Sequence, residues 1–441
     1  MGTEAIQLGR IWRLWAPLEA AWLLMAMEGP FLAAILARLP DPTPNLAAFG
    51  VALGFAMLFE SPIILIMSAA TALVENRDSL HKLRTFTFAL NAVITLGLAI
   101  FVCPPVFRVV TETIMGLPVA VAHLAHPACV LLLPWPAAIG YRRFYQGILV
   151  RSGLTHRIAF GTTLRLSAMG GTAILLATTT RMPGAWVGTA ALSVGVVLEA
   201  AASRFWAREP VRRLLATAAT GEQLRVPLTY SAIAHFYFPL ALTSVLTLGV
   251  NPLVCFFLGR SRLPLESLAV MPVVNGLIFA FNTAGLTFQE VAITLYSLDR
   301  SWLRALRRFA LWLGVLTVGA LAVMVATPLL GLWLQRVAGL SPALARVAWV
   351  SVAIAVLLPA VTVMTCFQRA LLVVVRVTRP ITWSTGIEVA GIAGTLFVLT
   401  RFCGWVGATA AAVAMVAGRV AAMVYLLPKT ARALRPGGIV E

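Results

Sequence analysis

Eight ionisable side chains lie inside long apolar segments of this 441-residue chain, and these are the positions where chemistry is expected first. They are Glu19, Glu28, Glu60, Glu199, Glu290, Glu388, Arg165 and Arg419. A charge at the centre of a lipid bilayer costs at least about 2.5 kcal/mol. Each of these groups must therefore pair with an opposite charge, face water or bind a proton.

Four of these residues are related by an internal spacing. Arg165 and Glu388 are 223 positions apart, and Glu199 and Arg419 are 220 positions apart, so the signs are exchanged between two halves of the chain. This predicts two structural ion pairs, Arg165 with Glu199 and Glu388 with Arg419, each joining the last two helices of one half. The alternative is that either arginine binds an anionic substrate.

Glu28 and Glu60 differ from these residues, because no basic residue lies at their depth. Burial and mutual repulsion favour the neutral form, and such carboxyls exchange protons readily. The second half places amides nearby: Asn282 is the repeat partner of Glu60, and Asn251 lies one position beyond that of Glu28. The pattern predicts a proton or sodium site in the first half. The alternative is a pair of permanently protonated or water-facing carboxyls.

The elements that must position these groups are membrane-spanning helices. The composition is 60% hydrophobic and 11% charged, whereas a soluble protein is about 25% charged. Apolar runs of about 20 residues, enough to cross a bilayer, recur from Ile11 to Leu427. The predicted fold is an all-α polytopic membrane protein with about twelve transmembrane helices: 11–37, 47–74, 85–107, 119–141, 158–180, 184–203, 227–258, 265–297, 309–335, 343–368, 381–400 and 403–427.

A shift of about 222 positions brings the two halves into register. Pro30 meets Pro252 and Gln146 meets Gln368 at that spacing. Six helices return the chain to its starting side, so the two six-helix repeats are parallel. The prolines should kink the first helix of each half. We expect a substrate cleft near the membrane midplane, lined by Pro30, Gln146, Asn251, Pro252, Asn282 and Gln368.

The repeat also predicts the domain organisation. An N-terminal six-helix lobe covers 1–203, a basic cytoplasmic linker covers 204–226, and a C-terminal six-helix lobe covers 227–441.

Links that are rich in basic residues alternate along the chain with links that are poor in them. The rich links are predicted to be cytoplasmic and include Arg142, Arg143 and Arg369. This alternation follows the positive-inside rule and predicts a cytoplasmic-membrane protein with both termini in the cytoplasm. The net charge of +18 is dispersed among the links, which argues against nucleic-acid binding.

Several other functions are disfavoured. His123 and His126 share one helix face but lack a third metal ligand, and no Gly-Lys-Ser or Gly-Lys-Thr occurs for a phosphate loop. No nucleophile, base and orienting group can be assembled from so few polar residues, so the chain is not expected to be an enzyme. No cofactor is expected beyond H⁺ or Na⁺ as a coupling ion.

Short motifs carry a family resemblance. They are Tyr145-Gln146-Gly147, Phe236-Tyr237-Phe238-Pro239-Leu240-Ala241-Leu242, Asn251-Pro252-Leu253-Val254 and Gly404-Trp405-Val406-Gly407-Ala408-Thr409. The layout resembles the superfamily of multidrug and toxin extruders (MATE) and polysaccharide flippases, and within it the progressive ankylosis protein family. The superfamily implies a V-shaped, two-lobed fold that works by alternating access. The family further implies export of organic anions such as pyrophosphate, nucleotide or citrate.

The predicted function is therefore secondary active export of a small organic anion or amphiphile, driven by a proton or sodium gradient. One alternative is a flippase for lipid-linked saccharide in cell-envelope synthesis. Another is a multidrug or cation antiporter.

Overall fold

The computed structural model describes residues 2–216, 228–375 and 377–434, and the secondary-structure elements within these ranges are helices joined by short turns and loops. The α-helices are α1 (Gly2–Ala26), α2 (Glu28–Leu36), α3 (Pro42–Glu60), α4 (Ile66–Leu73), α5 (Arg77–Phe101), α6 (Pro104–Arg108), α7 (Val119–Leu131), α8 (Pro134–Arg151), α9 (Thr155–Thr179), α10 (Gly184–Trp206), α11 (Arg208–Ala216), α12 (Tyr230–Leu248), α13 (Val250–Gly259), α14 (Pro264–Leu298), α15 (Leu303–Ala326), α16 (Leu329–Leu332), α17 (Pro342–Ile354), α18 (Leu358–Val374), α19 (Arg379–Arg401) and α20 (Gly407–Ala433). Short π-helical segments, Val109–Ile114 and Trp333–Val337, follow α6 and α16.

Twelve helical stretches of the described chain are long and apolar enough to cross a membrane. The prediction of an all-α integral membrane protein with twelve spans is confirmed. Of the predicted linker, residues 204–216 are described and include α11, whereas residues 217–226 lie outside the described ranges.

The second and fourth spans end at other residues than those predicted from the sequence. The second span stops at Glu60 and resumes as α4, because Pro62 has no N–H and its ring clashes with the preceding turn. The fourth span runs on through α8 to Arg151. Arg142 and Arg143 consequently lie within α8, whereas they were predicted in the link that follows the fourth helix.

The internal repeat is visible in the helix boundaries. Pro42 and Pro264, which are 222 positions apart, begin α3 and α14. Each follows a residue with left-handed backbone: Asp41 has φ 51° and Leu263 has φ 54°. A residue before proline is disfavoured in right-handed helix, so these positions separate α3 and α14 from the preceding helices.

The first span of each half is interrupted at the same place. α1 ends at Ala26 and α12 ends at Leu248, each four residues before a proline, Pro30 or Pro252. The proline cannot donate to the carbonyl four residues earlier, so the helical hydrogen-bond ladder is broken there. Both interruptions match the predicted kinks.

Contacts divide the chain into two compact units. The central unit is Leu39–Phe256, and the terminal unit comprises Met1–Arg38 together with Phe257–Glu441. This division differs from the predicted lobes at the first helix of each half. α1 packs on α14 and α15 of the terminal unit, whereas α12 packs on α3, α4 and α5 of the central unit.

An aromatic core explains why α1 belongs to the terminal unit. Trp15 on α1 is 6% exposed, and its ring centroid lies 5.9 Å from that of Phe309 on α15. Phe288 on α14 lies 5.4 Å from Phe309 and 6.0 Å from Phe367 on α18. These rings pack α1, α14, α15 and α18 around one apolar centre.

Candidate functional site

The central unit encloses a cluster of arginines around one carboxylate. Glu199 on α10 is 1% exposed. Its Oε2 accepts a hydrogen bond from Arg142 Nη1 on α8 and lies 3.2 Å from Arg165 Nε on α9. Gln146 Nε2 donates to Glu199 Oε1 at 3.1 Å. Arg142 and Gln146 are four residues apart on α8 and so share one face of the helix. We call this group, with Glu60, Trp135 and Arg143, the central cluster.

Glu60 is the last residue of α3 and is 6% exposed. Trp135 Nε1 on α8 donates to its Oε2. Glu60 makes no ion pair in the described part of the chain. Its neighbours Arg142, Arg143 and Arg165 interact with it at longer range. The central cluster therefore holds three arginines and two carboxyls, an excess of positive charge even when both carboxyls are ionised.

The terminal unit holds a second cluster, built around Glu388 on α19. Arg419 Nε on α20 lies 2.9 Å from Glu388 Oε1, and Arg369 Nη2 on α18 lies 3.6 Å from Glu388 Oε2. Arg419 Nη1 also donates to Thr362 Oγ1 at 2.9 Å, and Thr362 donates to Asn282 Oδ1 at 3.0 Å. We call this group, with Gln368, the terminal cluster.

The two clusters share one arrangement, in which two arginines converge on one carboxylate. In the central unit the carboxylate is Glu199, on α10, which is the last span of its half. In the terminal unit it is Glu388, on α19, which is the last span but one. Both predicted pairs, Arg165 with Glu199 and Glu388 with Arg419, are brought together. Whether these pairs serve structure or bind substrate stays a prediction.

Arg142 and Arg369, the second arginine of each cluster, were not predicted as site residues from the sequence. Arg369 was predicted in a link after the tenth helix, but α18 continues to Val374 and contains it. The overlooked signal was helical continuity. Between Arg142 and Gly153 the only glycine or proline is Gly147, and between Arg369 and Pro380 there is none. The sequence therefore contains no strong signal that would end either helix at its arginine.

Several polar atoms of both clusters have no hydrogen-bond partner within the described residues. The donors among them are Nε of Arg142, Arg143 and Arg369 and Nε2 of Gln368. Gln368, 222 positions after Gln146, is 3% exposed, and neither its Oε1 nor its Nε2 has a partner. Buried donors of this kind are available to the oxygen atoms of an anion.

The remaining predicted cleft residues are divided between the units. In the central unit, Asn251 Nδ2 lies 3.3 Å from Met57 Sδ, and Pro252 packs near Gly54. In the terminal unit, Pro30 is buried and packs against Gly276. Their role as a substrate cleft stays a prediction.

The two carboxyls predicted to share an ion site belong to different units. Glu28 is half-buried at the start of α2 in the terminal unit, and Glu60 lies in the central unit. Their common role in ion coupling stays a prediction.

Glu19, another of the eight ionisable residues inside apolar segments, is 7% exposed and accepts hydrogen bonds from Thr283 and Thr287 on α14. As for metals, no group of three or more His, Cys, Asp or Glu with metal-binding geometry occurs among the described residues. His126 Nε2 instead lies 2.7 Å from the carbonyl oxygen of Val102.

Comparison with known proteins gives no match to a protein-family model and no match to a curated protein. Solved structures do match over almost the whole chain. An inward-facing multidrug resistance MATE family transporter of the MOP superfamily has a TM-score of 0.71 at 13% identity, covering 95% of this chain and 98% of that one. The lipid II flippase MurJ in an inward closed conformation has a TM-score of 0.73 at 12% identity, covering 94% of this chain and 87% of MurJ.

A eukaryotic MATE transporter, AtDTX14, has a TM-score of 0.64 at 12% identity, covering 98% of this chain and 97% of that one. These similarities establish that the chain has the fold shared by MATE transporters and the MurJ flippase. At such low identity they establish the fold alone.

Proposed function

We propose that this protein is a secondary transporter that exports a small organic anion or anionic amphiphile by alternating access. Two observations support the class of protein: twelve candidate spans and a fold shared with MATE transporters and a flippase. One observation supports the anionic substrate, namely the convergence of two arginines on a single carboxylate in each unit.

The charge balance is the physical basis of this proposal. A buried arginine costs several kcal/mol unless a negative group compensates it. One carboxylate compensates only one of the two arginines that it contacts, so a second anion would stabilise each cluster. Guanidinium groups bind carboxylates and phosphates through paired hydrogen bonds. Citrate, pyrophosphate and nucleotides, the substrates implied by the resemblance to the progressive ankylosis family, all present such oxygens.

The driving force in this proposal is a proton or sodium gradient, since no phosphate loop for direct use of ATP occurs in the sequence. We also propose that the protein resides in the cytoplasmic membrane with both termini inside. The alternation of basic links supports this orientation. Reporter fusions at the two ends would test it, and a signal from outside at either end would contradict it.

A transport assay tests the substrate class. The purified protein would be reconstituted in liposomes, and uptake of labelled citrate, pyrophosphate and ATP measured under imposed proton and sodium gradients. Arg142→Gln and Arg369→Gln should each reduce uptake about tenfold or more, because a charge-assisted hydrogen bond contributes about 1.5–3 kcal/mol. Arg213→Gln is the matched control, since Arg213 is 79% exposed on α11. Transport of cationic drugs and none of these anions would overturn the proposal.

A flippase is the second candidate, favoured by the similarity to MurJ at a TM-score of 0.73. Arginines would also suit a phosphate-bearing lipid-linked saccharide. A fluorescent lipid-linked saccharide in the same liposomes distinguishes the two candidates, since a flippase would make it accessible from the opposite leaflet. A multidrug or cation antiporter, suggested by the MATE neighbours, is disfavoured by the excess of arginine in both clusters.

A further inference from the structure

Glu19 forms a buried site with two threonines that belongs to neither arginine cluster. Its Oε1 accepts a hydrogen bond from Thr283 Oγ1 at 2.7 Å, and its Oε2 accepts one from Thr287 Oγ1 at 2.7 Å. One turn earlier on α1, Trp15 Nε1 donates to the carbonyl oxygen of Ala284 at 3.2 Å. All of these residues lie in the terminal unit. The carboxyl is therefore held between α1 and α14, with a hydroxyl on each oxygen.

No basic group compensates this carboxyl within the described part of the chain. α2, α14 and α15 pack against α1. The described titratable or charged side chains of these four helices, other than Glu19 itself, are Arg10, Arg13, Glu28, Glu266, Glu290, Tyr296, Arg304, Arg307 and Arg308. None of these arginines forms an ion pair with Glu19. A buried carboxylate without a counter-charge is costly, so the site favours binding of a cation, and a proton is the smallest.

The two threonines can satisfy both protonation states of Glu19. Thr283 Oγ1 also lies 2.7 Å from the carbonyl oxygen of Ala280, and Thr287 Oγ1 lies 3.0 Å from that of Thr283. A hydroxyl has one hydrogen and accepts through its lone pairs. When Glu19 is ionised, both hydroxyls donate to it. When Glu19 is protonated, its O–H can donate to one hydroxyl, and that hydroxyl then donates to the nearby backbone carbonyl oxygen, that of Ala280 for Thr283 or that of Thr283 for Thr287.

We propose that Glu19, Thr283 and Thr287 form a proton-binding site through which the transporter couples to a proton gradient. This inference rests on the proposed transport function. Each carboxylate oxygen of Glu19 has a threonine hydroxyl at 2.7 Å, the distance of an O–H···O hydrogen bond, so a single proton can join this arrangement without displacing either hydroxyl. Proton binding forms one O–H bond at a carboxylate oxygen of Glu19 and release breaks it, with no change of oxidation state.

Infrared difference spectroscopy tests the site without requiring transport. Substrate-free protein in lipid would be titrated with acid, and the carboxyl stretching band compared between wild type, Glu19→Gln and Glu290→Gln. We expect one protonated-carboxyl band to vanish in Glu19→Gln and to remain in Glu290→Gln, whose glutamate lies exposed on the same helix as the threonines. An unchanged spectrum in Glu19→Gln would overturn the proposal.

The threonines provide a variant that keeps the carboxyl. In Thr283→Val with Thr287→Val, the ionised carboxylate loses both hydroxyl donors, so the midpoint of its band should move to higher pH. Glu19→Asp, which shortens the side chain and weakens both contacts, should move it in the same direction by less. No movement of the midpoint in either variant would contradict a role of these hydroxyls.

Transport of labelled citrate separates failure of this site from failure of the proposed function. Glu19→Gln should retain exchange of citrate across the membrane without a gradient, while acceleration by a pH gradient falls at least tenfold. Full acceleration in this variant, or acceleration by a sodium gradient alone in wild type, would overturn the coupling role. If wild type moves none of the anions tested, the transport proposal fails, whereas the infrared result still decides whether Glu19 binds a proton.

Discussion

Trp15 and Tyr237 make the same hydrogen bond in the two halves of the chain. Trp15 Nε1 donates to the carbonyl oxygen of Ala284 at 3.2 Å, and Tyr237 Oη donates to that of Pro62 at 2.7 Å. The two donors are 222 positions apart, and so are the two acceptors. In each case the first span of one repeat is bonded to the second span of the other repeat. The exchange of first helices between repeats is therefore a symmetric feature of the fold.

Removal of either donor should weaken this attachment. In Trp15→Phe or Tyr237→Phe, the side-chain hydrogen bond between the two spans is lost, and we expect a loss of about 0.6–2 kcal/mol in the free energy of unfolding. Thermal unfolding in lipid nanodiscs measures this change. Tyr230→Phe is the control, since Tyr230 is 51% exposed at the start of α12. Equal effects of Tyr230→Phe and Tyr237→Phe would show that the hydrogen bond contributes nothing.

Glu199→Gln should be strongly destabilising. It removes the carboxylate that compensates Arg142 and Arg165, and loss of one member of a buried ion pair costs about 3–5 kcal/mol. Glu209→Gln removes a surface partner of Arg213, where the side chains are 56% and 79% exposed, and should change stability by less than about 1 kcal/mol. Chemical unfolding of both variants checks the difference. A similar stability for both variants would mean that the central cluster is open to water.

Gly418→Ala should separate α20 from α19. A Cβ added at Gly418 would lie 2.6 Å from the carbonyl oxygen of Glu388 and 2.7 Å from Cγ1 of Ile392. Overpacking of this kind costs about 1–3 kcal/mol. Gly394→Ala on α19 is the matched control, because a Cβ there meets no atom within 4 Å. Thermal unfolding would detect the loss, and a neutral Gly418→Ala would contradict the close crossing of these helices.

The two repeat-related glutamines should respond differently to removal of their amides. Gln146→Leu takes a donor from buried Glu199 and should cost about 1–3 kcal/mol of stability. Gln368→Leu removes an amide with no partner among the described residues, so stability should stay the same or rise. Unfolding assays compare the two variants, and citrate uptake then shows whether Gln368 contacts substrate. Equal destabilisation by both substitutions would refute this asymmetry.

Local sequence was enough for those features that depend on one segment at a time. Apolar runs of spanning length predicted all twelve spans, because lipid forces each backbone segment to satisfy its own hydrogen bonds as a helix. Pro30 and Pro252 predicted interruptions that the structure places at Ala26 and Leu248. Charges at matching repeat positions predicted the pairing of Arg165 with Glu199 and of Glu388 with Arg419, since buried charges must be compensated.

Only the tertiary structure decided the features that depend on which helix faces which. Arg142 and Arg369 belong to the clusters because helix packing brings them to Glu199 and Glu388 on other helices. Glu19 became buried because α1 packs on α14, a contact between residues 264 or more positions apart in the chain. Helix formation is local, but the pairing of helix faces depends on packing between distant segments, and no short motif in this sequence specifies that pairing.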